Sequence, residues 1–398
     1  MNLMTAGEST VEESNEPNSL RLLLAAAAAT CIANISGWMQ PEMISYLMSA
    51  VSQSESRAAL VVTAEVAALS LSSFVLAKIG RDATYLFIGS LGTCIALAGA
   101  FGTLYSPTYS VLVLARVITG VGEGAMLMVS TAAVAHLPNP DIGYAKLNIV
   151  NVTFGTVVTF LLPTLSTAFG PEALVYRVLV ALILGLSALF LFIPRNERYE
   201  PPMAAAGGGT NSVRIISLAT AVFLVVSGGN ALWSFYFVLG SRAGLQSDAV
   251  NQTIAFSVLS AVPASLLATF MRKRFGRIAP ASMALLAMAV AVFALTYSST
   301  HLAYQVGTCV NVGAVYFLYP YFFGFAATED ASGRGAVIVG GAFLLTGAAG
   351  PYLGGSLLQS VGVHSIAWFV MAANTIATAV LCWLERSRRL TSRPRTRG

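Results

Sequence analysis

Long apolar segments recur along almost the whole sequence, and they decide what this chain is able to fold into. Apolar runs bounded by Gly, Pro, Ser or charged residues occur twelve times and are numbered spans 1 to 12 in chain order: 22–50, 58–77, 84–104, 108–135, 145–168, 173–194, 214–240, 250–271, 278–298, 301–327, 335–360 and 364–384. A helix needs about 20 mainly apolar residues to cross the hydrocarbon core of a bilayer, and every run reaches that length. The pattern predicts an all-α membrane protein with twelve transmembrane helices.

The composition agrees with a chain that lies mostly in lipid. Of 398 residues, 56% are hydrophobic and only 10% are charged, whereas a soluble domain is about 45–50% apolar and about 25% charged. Since a soluble domain has too little interior to bury so much apolar surface, these values exclude a disordered protein, a nucleic-acid-binding protein and an ordinary cytosolic enzyme. Membrane lipid is therefore an expected partner of the chain, and nucleic acid is not.

Basic residues are distributed unevenly between the two sides of the predicted membrane. Eighteen of the 22 Lys and Arg residues lie in the N-terminal segment, in the loops after even-numbered spans or in the C-terminal tail, and three lie on the opposite side. Because cytoplasmic loops are enriched in Lys and Arg, we predict a multi-pass protein of the cell inner membrane with both termini cytoplasmic. The first twenty residues contain four Glu and no basic residue before Leu20, which does not resemble a cleavable signal peptide, so span 1 is expected in the mature protein.

An internal repeat indicates two similar halves. Gly80 and Arg81 follow span 2, Gly276 and Arg277 follow span 8, and both pairs are offset by 196 residues. Internal symmetry of this kind is typical of transporters that place a substrate site between two halves. The longest gap between spans contains paired prolines and three consecutive glycines, as a flexible linker does. The predicted domains are a cytoplasmic N-terminal tail, a first six-helix bundle, a cytoplasmic linker, a second six-helix bundle and a basic cytoplasmic tail, at residues 1–21, 22–194, 195–213, 214–384 and 385–398 respectively.

Few ionisable residues lie inside the predicted spans, and those few are candidates for function. An ionised side chain at the bilayer centre costs about 2.5–3.5 kcal/mol, so it normally faces the protein interior. Arg116 and Glu123 are seven residues apart in span 4, which puts them on one helix face, about 10 Å apart along the axis. Glu42 in span 1 and Glu65 in span 2 are each either the resting counter-ion of Arg116 or solvated at the mouth of a cavity. We expect all four residues to take part in proton coupling; an arginine that only snorkels or pins two helices would fit the same pattern.

The positions of the cysteines and histidines limit which side chains could form disulfides, bind metal or carry a proton. The four cysteines lie inside spans at no metal-ligand spacing, and the three histidines lie near span ends. These patterns predict neither a disulfide framework nor a metal site, and no cofactor is expected. They leave carboxyl groups as the proton carriers available at membrane depth.

The second half has no charged residue at bilayer depth but is rich in aromatic and amide side chains. Span 7 contains paired glycines, and span 10 contains a proline within an aromatic run. Irregular backbone is tolerated in lipid where it lines a cavity, and aromatic rings with hydroxyls suit a partly apolar substrate. The alternative is that these rings pack against lipid or lie at the membrane interface. The candidates for substrate contact are Arg116 and six residues of the second half: Asn230, Trp233, Tyr236, Asn311, Tyr316 and Tyr319.

Three motifs resemble those of the major facilitator superfamily. The loops after spans 2 and 8 are similar to its basic gating motif, the run from Leu112 to Gly124 is similar to its membrane-embedded arginine motif, and span 11 carries a Gly-Pro-x-x-Gly-Gly element. The resemblance covers essentially the whole chain and implies two pseudo-symmetric six-helix bundles that transport by alternating access. It also implies gating roles for motif residues: Lys78, Gly80, Arg81, Lys273, Gly276, Arg277, Gly350 and Pro351. The Gly-x-Gly-Glu-Gly form of the span 4 motif resembles the anion:cation symporters, which implies anion recognition by Arg116 and proton binding by Glu123.

The sequence therefore predicts a monomeric secondary transporter whose partners are protons, a small-molecule substrate and membrane lipid. The preferred mechanism is proton-coupled symport of a small organic anion. Proton-driven efflux of drugs or hydrophobic metabolites is the nearest alternative, and the direction of flux under an imposed proton gradient separates the two. A membrane-embedded enzyme or receptor is a more distant alternative, because the sequence has no Ser/His/Asp cluster at one membrane depth, no nucleotide-binding loop and no stretch left over for a soluble domain. The arginines of the C-terminal tail either bind anionic lipid or only set the orientation.

Overall fold

The computed structural model of the chain describes residues 8–49, 51–80, 83–106, 108–135, 140–169, 174–189, 212–329 and 334–391. Within these ranges the regular elements are fifteen α-helices, α1 to α15, with the bounds Glu8–Trp38, Gln40–Ser49, Glu55–Ile79, Tyr85–Leu104, Tyr109–Ala135, Pro140–Phe169, Leu174–Ser187, Ser212–Ser234, Tyr236–Arg242, Ser247–Leu259, Ala261–Phe275, Ile278–Tyr297, His301–Glu329, Arg334–Ser360 and His364–Thr391. The predicted all-α class is confirmed.

The apolar helices of the described residues coincide with the predicted spans. Ten stretches are long and apolar enough to cross a membrane: Leu20–Ser49, Glu55–Ile79, Tyr85–Leu104, Tyr109–Val134, Val213–Ser234, Ser247–Phe275, Ile278–Tyr297, His301–Glu329, Gly335–Ser360 and His364–Arg388. Two shorter apolar helices, Lys146–Leu162 and Val175–Ser187, fall at predicted spans 5 and 6. Most of the predicted linker, 195–213, lies outside the described residues, so the domain boundaries stay a prediction.

Three of the predicted spans are built from two consecutive helices rather than one. Span 1 is interrupted at Met39, span 7 at Phe235 and span 8 at Ser260. Pro41 and Pro263 lie in the first turns of α2 and α11, where a missing N–H costs no helical hydrogen bond but the preceding helix cannot continue regularly. Backbone groups released by such breaks need other partners within a membrane.

The break in span 7 has no proline and follows a serine instead. Ser234 Oγ donates to the carbonyl oxygen of Asn230 at 2.7 Å, one turn back along α8. A serine that bonds to its own helix in this way competes with the backbone ladder and often bends the helix. The same oxygen accepts a hydrogen bond from Gln40 Nε2 at 2.8 Å.

The chain divides into two compact units, and unit 1 contains Met1–Trp38, Ala64–Gly155 and Phe169–Met203. Its helices α4 and α5 approach each other closely at glycines. A Cβ placed on Gly92 would lie 2.7 Å from the Cβ of Ala125, and one placed on Gly122 would overlap the backbone of Ala96. Small residues permit such close packing, which holds helices together in a membrane mainly by van der Waals contact.

Unit 2 contains Met39–Thr63, Thr156–Ala168 and Ala204–Gly398. Its core is a continuous cluster of buried apolar side chains from α8 to α15, among them Leu232, Met288 and Phe317. The parts of spans 1 and 2 that belong to this unit are held by hydrogen bonds: besides the contact of Gln40 with Ser234, Thr63 Oγ1 donates to the carbonyl oxygen of Ala348 at 2.9 Å.

Candidate functional site

A network of polar side chains lies inside unit 1, with members from three helices. Helix α5 contributes Arg116, Thr119 and Glu123, helix α3 contributes Glu65, and helix α1 contributes Ser36. Arg116, Glu65, Glu123 and Thr119 have no exposed surface, and Ser36 is 2% exposed. Arg116 and Glu123, which were predicted to share one face of the helix, both lie in this network. Groups so deeply buried interact with one another rather than with solvent.

Arg116 and Glu65 form a bidentate ion pair. Arg116 Nε donates to Glu65 Oε2 at 3.0 Å, and Arg116 Nη2 donates to Glu65 Oε1. Two parallel bonds between a guanidinium and a carboxylate give directional as well as electrostatic stabilisation. Of the two counter-ions that the sequence left open, Glu65 is therefore the one that pairs with Arg116.

Ser36 links this ion pair to Glu123. Its Oγ accepts a hydrogen bond from Arg116 Nη2 at 2.9 Å and donates to Glu123 Oε1 at 2.5 Å. Glu123 Oε2 is buried and has no hydrogen-bond partner among the described residues. Thr119 Oγ1 accepts a further bond from Arg116 Nη1 at 3.4 Å. Ser36 is not among the residues predicted from the sequence, because an isolated serine in an apolar span carries no signal of its own.

The glycines of the span 4 motif bring α3 against α5 beside the network. A Cβ on Gly120 would overlap the backbone of Glu65, and a Cβ on Gly124 would overlap Ser72 and the carbonyl of Leu69. Both glycines lie on the same face of α5 as Arg116, one and two turns further along the helix. They provide the close approach of α3 that lets the Glu65 carboxylate reach the guanidinium.

A second polar group lies in unit 2 around Tyr236, which is fully buried. Tyr236 OH donates to the carbonyl oxygen of Thr308 at 3.4 Å and accepts from Asn311 Nδ2 at 2.7 Å. Trp233 meets the Tyr236 ring edge-on, with centroids 5.6 Å apart. Tyr304 OH, which sequence analysis did not select, donates to the carbonyl oxygen of Tyr236 at 3.0 Å. The structure thus brings three of the six candidates in the second half together.

The other three candidates of the second half lie apart from this group. Asn230 is half-buried, and its Nδ2 donates to Thr346 Oγ1 on α14 at 3.0 Å. Tyr316 is half-buried and packs on the core cluster. Tyr319 is 42% exposed, and its ring is tilted by 34° against that of Phe323, with ring centroids 4.5 Å apart.

Glu42 belongs to unit 2 and takes no part in the Arg116 network. Its side chain is buried, at 6% exposure, and neither carboxylate oxygen has a hydrogen-bond partner in the described part of the chain. The neighbouring Gln40 is bonded to Ser234. A buried carboxyl group without a donor is unfavourable as an anion, so Glu42 is a separate candidate for binding a proton or a cation.

The candidate gating residues lie at helix ends and at one helix contact. Gly80 directly follows α3 and Gly276 directly follows α11, as the predicted repeat requires. Gly276 has φ of 75°, a left-handed value that favours glycine, and ends the helix.

The basic residues of the two repeated motifs lie near the ends of α3 and α11. Lys78 and Lys273 are both exposed, and Lys78 Nζ lies 4.4 Å from the centroid of the Phe74 ring. Arg277 Nη1 donates to Thr328 Oγ1 at 3.0 Å. Arg81 lies outside the described residues.

The span 11 motif forms a close contact between α14 and α8. A Cβ on Gly350 would overlap the Cβ of Asn230, and Pro351 lies buried inside α14. In the part of the chain that the structure describes, no group of three or more His, Cys, Asp or Glu side chains is placed to hold a metal ion.

The sequence also matches a known family directly. The sequence profile of the Major Facilitator Superfamily matches residues 22–328, more than three quarters of the chain. This chain belongs to the major facilitator superfamily. As a member, it is a multi-pass membrane transporter of small molecules.

Solved structures of three transporters share the major facilitator fold with this chain. A variant of the nucleoside transporter NupG is 14% identical, with a TM-score of 0.70 over 92% of this chain and 99% of that chain. A D-xylose-proton symporter is 14% identical, with a TM-score of 0.69 over 91% and 96%. A bacterial homolog of the human lysosomal transporter Spinster, inward-facing and occupied, is 15% identical, with a TM-score of 0.64 over 92% and 94%.

These comparisons confirm the predicted fold of twelve transmembrane helices in two pseudo-symmetric six-helix bundles. Identities this low establish the major facilitator fold and leave the substrate open. A comparison with curated proteins found no match.

Proposed function

We propose that this chain is a proton-coupled symporter of a small organic anion, with Glu123 as the proton-binding residue and Arg116 as the anion-binding residue. The observation that carries the proposal is the composition of the buried network in unit 1. It contains two carboxyl groups and one guanidinium, and none of the three has exposed surface.

Charge balance supports a bound proton in this network. If both carboxyl groups were ionised, the network would hold one negative charge in excess, and an uncompensated buried charge destabilises a protein by about 3–5 kcal/mol. Glu65 receives two donors from Arg116, whereas Glu123 receives one donor from Ser36, and its other oxygen has no partner within the described ranges. We therefore assign the proton to Glu123.

The geometry of the ion pair favours an anionic substrate. The two donors of Arg116 already hold a carboxylate, that of Glu65, in the bidentate arrangement that suits a guanidinium. A substrate carboxylate that competes for these donors would leave Glu65 without its cation. The network would then hold a further uncompensated negative charge, which favours the protonated form of Glu123, so anion binding and proton binding would promote each other, as symport requires.

The polar group around Tyr236 supports substrate contact in unit 2. Asn311 Oδ1 is buried and has no hydrogen-bond partner among the described residues, so it is available to accept from a substrate hydroxyl or N–H group. Trp233 and Tyr236 offer aromatic surface beside it. We infer that these three residues contact the substrate, and we expect a substrate with an apolar part.

One observation favours the alternative of proton-driven efflux. Glu42 is buried in unit 2, and neither of its carboxylate oxygens has a partner in the part of the chain that the structure describes, which suits a protonated amine of a hydrophobic compound. The direction of flux decides between the mechanisms. In proteoliposomes with an alkaline lumen, symport accumulates the substrate inside, whereas an antiporter in the same orientation moves it outward.

The test begins with a thermal-shift screen of carboxylic acids, each paired with its neutral amide, on purified protein. For an acid that stabilises the protein, we expect Arg116→Lys to weaken binding by about tenfold or more, because an ammonium group does not reproduce the planar two-donor geometry. Binding of the amide should change much less. The matched control is Arg177→Lys, the same change at an exposed position of α7.

The contrast between the two ligands separates recognition from misfolding. A general folding defect would weaken acid and amide alike and would lower the unfolding temperature without ligand. If a folded Arg116→Lys variant loses affinity for both ligands equally, Arg116 does not recognise the carboxylate and the symport proposal fails.

A further inference from the structure

Helix α1 ends in a tryptophan whose side chain is fixed on α6, within unit 1. Trp38 Nε1 donates to Asn151 Oδ1 at 3.0 Å. A Cβ on Gly155, one turn further along α6, would overlap the indole ring, so the ring lies directly against the helix backbone there. A hydrogen bond and a glycine contact together restrict the indole to one orientation.

The surface around this tryptophan is partly open and carries polar groups. Trp38, Asn34 and Asn151 are each half-buried, and a Cβ on Gly37 would meet no described atom within 4 Å. Asn34 precedes Trp38 by four residues, so both side chains lie on the same face of α1. Polar side chains at membrane depth face the protein interior or water rather than lipid. We therefore expect the exposed parts of these side chains to line an aqueous cavity.

The position of Trp38 along the chain argues against a membrane-interface role. Tryptophan is enriched at both membrane–water interfaces, where its ring anchors a helix at the level of the head groups. Trp38 lies instead near the middle of predicted span 1, 22–50, and is hydrogen-bonded to a neighbouring helix. A ring held there has partners in the protein and in whatever occupies the cavity.

The two asparagines keep hydrogen-bonding capacity beside the ring. Asn151 accepts from Trp38 with Oδ1, which leaves the two N–H groups of its Nδ2 able to donate. Asn34 Nδ2 donates to the carbonyl oxygen of Thr30 at 2.8 Å, which leaves Oδ1 of Asn34 able to accept. An aromatic face with a few placed donors and acceptors suits a planar molecule with polar substituents.

We propose that Trp38 stacks on an aromatic ring of the transported molecule, while Asn151 and Asn34 bind polar substituents of that molecule. The inference rests on the proposed function in that the bound molecule is the transported anion, and it narrows the substrate class to acids with an aromatic ring. Asn151 also positions the indole, because its Oδ1 accepts the Nε1–H bond. The three residues are distinct from the members of the Arg116 network.

The test measures dissociation constants of four probes for the purified full-length protein by isothermal titration calorimetry. The probes form two pairs, benzoate with cyclohexanecarboxylate and benzamide with cyclohexanecarboxamide. Within a pair the polar group and the number of ring carbons are the same, and only one ring is aromatic. We expect the wild type to bind the aromatic member about fivefold more tightly, as a contact between aromatic rings allows.

The variants separate the stacking face from its support. Trp38→Leu should abolish the preference for the aromatic member, and Trp38→Phe, which keeps an aromatic ring, should retain most of it. Asn151→Leu removes the acceptor of the indole N–H and should reduce the preference by about half. The matched control is Trp368→Leu, which should keep the preference. Trp368 is 59% exposed, and its Nε1 likewise donates to a side chain, Tyr297 OH, at 3.1 Å.

Each outcome supports or overturns the proposal. Equal binding of both members of each pair by the wild type, or binding of none of the four probes, would overturn it. A folded Trp38→Leu variant that keeps the preference would do the same, as would equal loss of the preference in Trp368→Leu. Thermal unfolding without ligand checks that the variants are folded. If Trp38→Leu does not fold, Asn151→Leu decides, and an unchanged preference in that variant would overturn the proposal.

The amide pair keeps this test separate from that of the proposed function. If the wild type binds benzoate and benzamide equally, recognition of the carboxylate by Arg116 fails. The comparison of benzamide with cyclohexanecarboxamide involves no charge, so it still decides whether Trp38 recognises an aromatic ring.

Discussion

At the scale of single residues, the network in unit 1 has one hydroxyl group at its centre. Ser36 Oγ has a single proton, and that proton is donated to Glu123 while Arg116 occupies a lone pair of the same oxygen. Any movement of Arg116 therefore changes the surroundings of Glu123 without a direct contact between the two side chains. A short chain of hydrogen bonds in a dry site is sensitive to such changes, because no solvent compensates for a lost partner.

We expect Glu123→Gln to abolish proton-driven accumulation while exchange of substrate across a vesicle membrane continues. The amide resembles the protonated acid in shape and is neutral, so it satisfies the charge balance of the network but cannot release a proton. The measurement compares concentrative uptake under a proton gradient with exchange of labelled for unlabelled substrate.

The control for this prediction is Asp248→Asn, which neutralises an exposed acid in the first turn of α10 and should leave both measurements unchanged. If Glu123→Gln still accumulates substrate to the wild-type level, Glu123 does not carry the coupled proton. Glu65 and Glu42 would then be the remaining buried carboxyl groups of the described residues to test.

At the scale of helices, close packing positions the charged groups. Helix α5 is contacted by α3 at Gly120 and Gly124 and by α4 at Gly122, so glycines on opposite sides of one helix admit two neighbours. Each approach brings backbone within van der Waals distance, which a side chain at these positions would prevent. The position of the Glu65 carboxylate thus depends on Gly120 having no side chain, since a Cβ there would overlap the backbone of Glu65.

We expect Gly120→Ala to destabilise the protein by about 1–3 kcal/mol, the usual cost of overpacking a well-packed interior. The added Cβ would meet the backbone of Glu65, which cannot move aside without shifting α3. Thermal unfolding of the purified protein in detergent measures the effect, and weaker proton-driven uptake should accompany it.

Gly185→Ala is the matched control, since a Cβ on Gly185 in α7 would meet no atom within 4 Å. Alanine is favoured over glycine in a helix by about 0.5–1 kcal/mol, so this variant should be unchanged or slightly more stable. Equal destabilisation of both variants would show that the close approach of α3 at Gly120 is not the cause of the lost stability.

At the scale of the whole molecule, the basic residues predict how the chain crosses the membrane. The repeat also appears in the folded chain, since α3 and α11 both end directly before the glycines that the sequence aligned. We expect Ser212→Cys and Ser392→Cys to be inaccessible to a membrane-impermeant thiol reagent in intact cells, because the positive-inside rule places both positions in the cytoplasm. The background replaces the four native cysteines with alanine.

Ser241→Cys provides the opposite control, since Ser241 is exposed and lies in the predicted loop after span 7. It should react in intact cells, and Ser212→Cys and Ser392→Cys should react only after the membrane is permeabilised. Rapid labelling of the latter two in intact cells would contradict the predicted orientation.

The sequence by itself determined the spans and the common face of Arg116 and Glu123. These features depend on local composition and on the fixed period of the α-helix, neither of which requires a neighbouring helix. The internal repeat likewise determined that Gly80 and Gly276 occupy equivalent positions, and each directly follows a helix.

Only the tertiary structure decided which groups meet across helices. In the folded chain, Glu65 rather than Glu42 pairs with Arg116. Ser36 lies between Arg116 and Glu123 and is hydrogen-bonded to both. Tyr236 is hydrogen-bonded to Asn311, whereas Tyr319 is exposed. Such contacts depend on the rotation and depth of each helix, and these are set by the close packing of glycines and small side chains on several helices at once. No single span contains that information, because each helix is oriented by its neighbours.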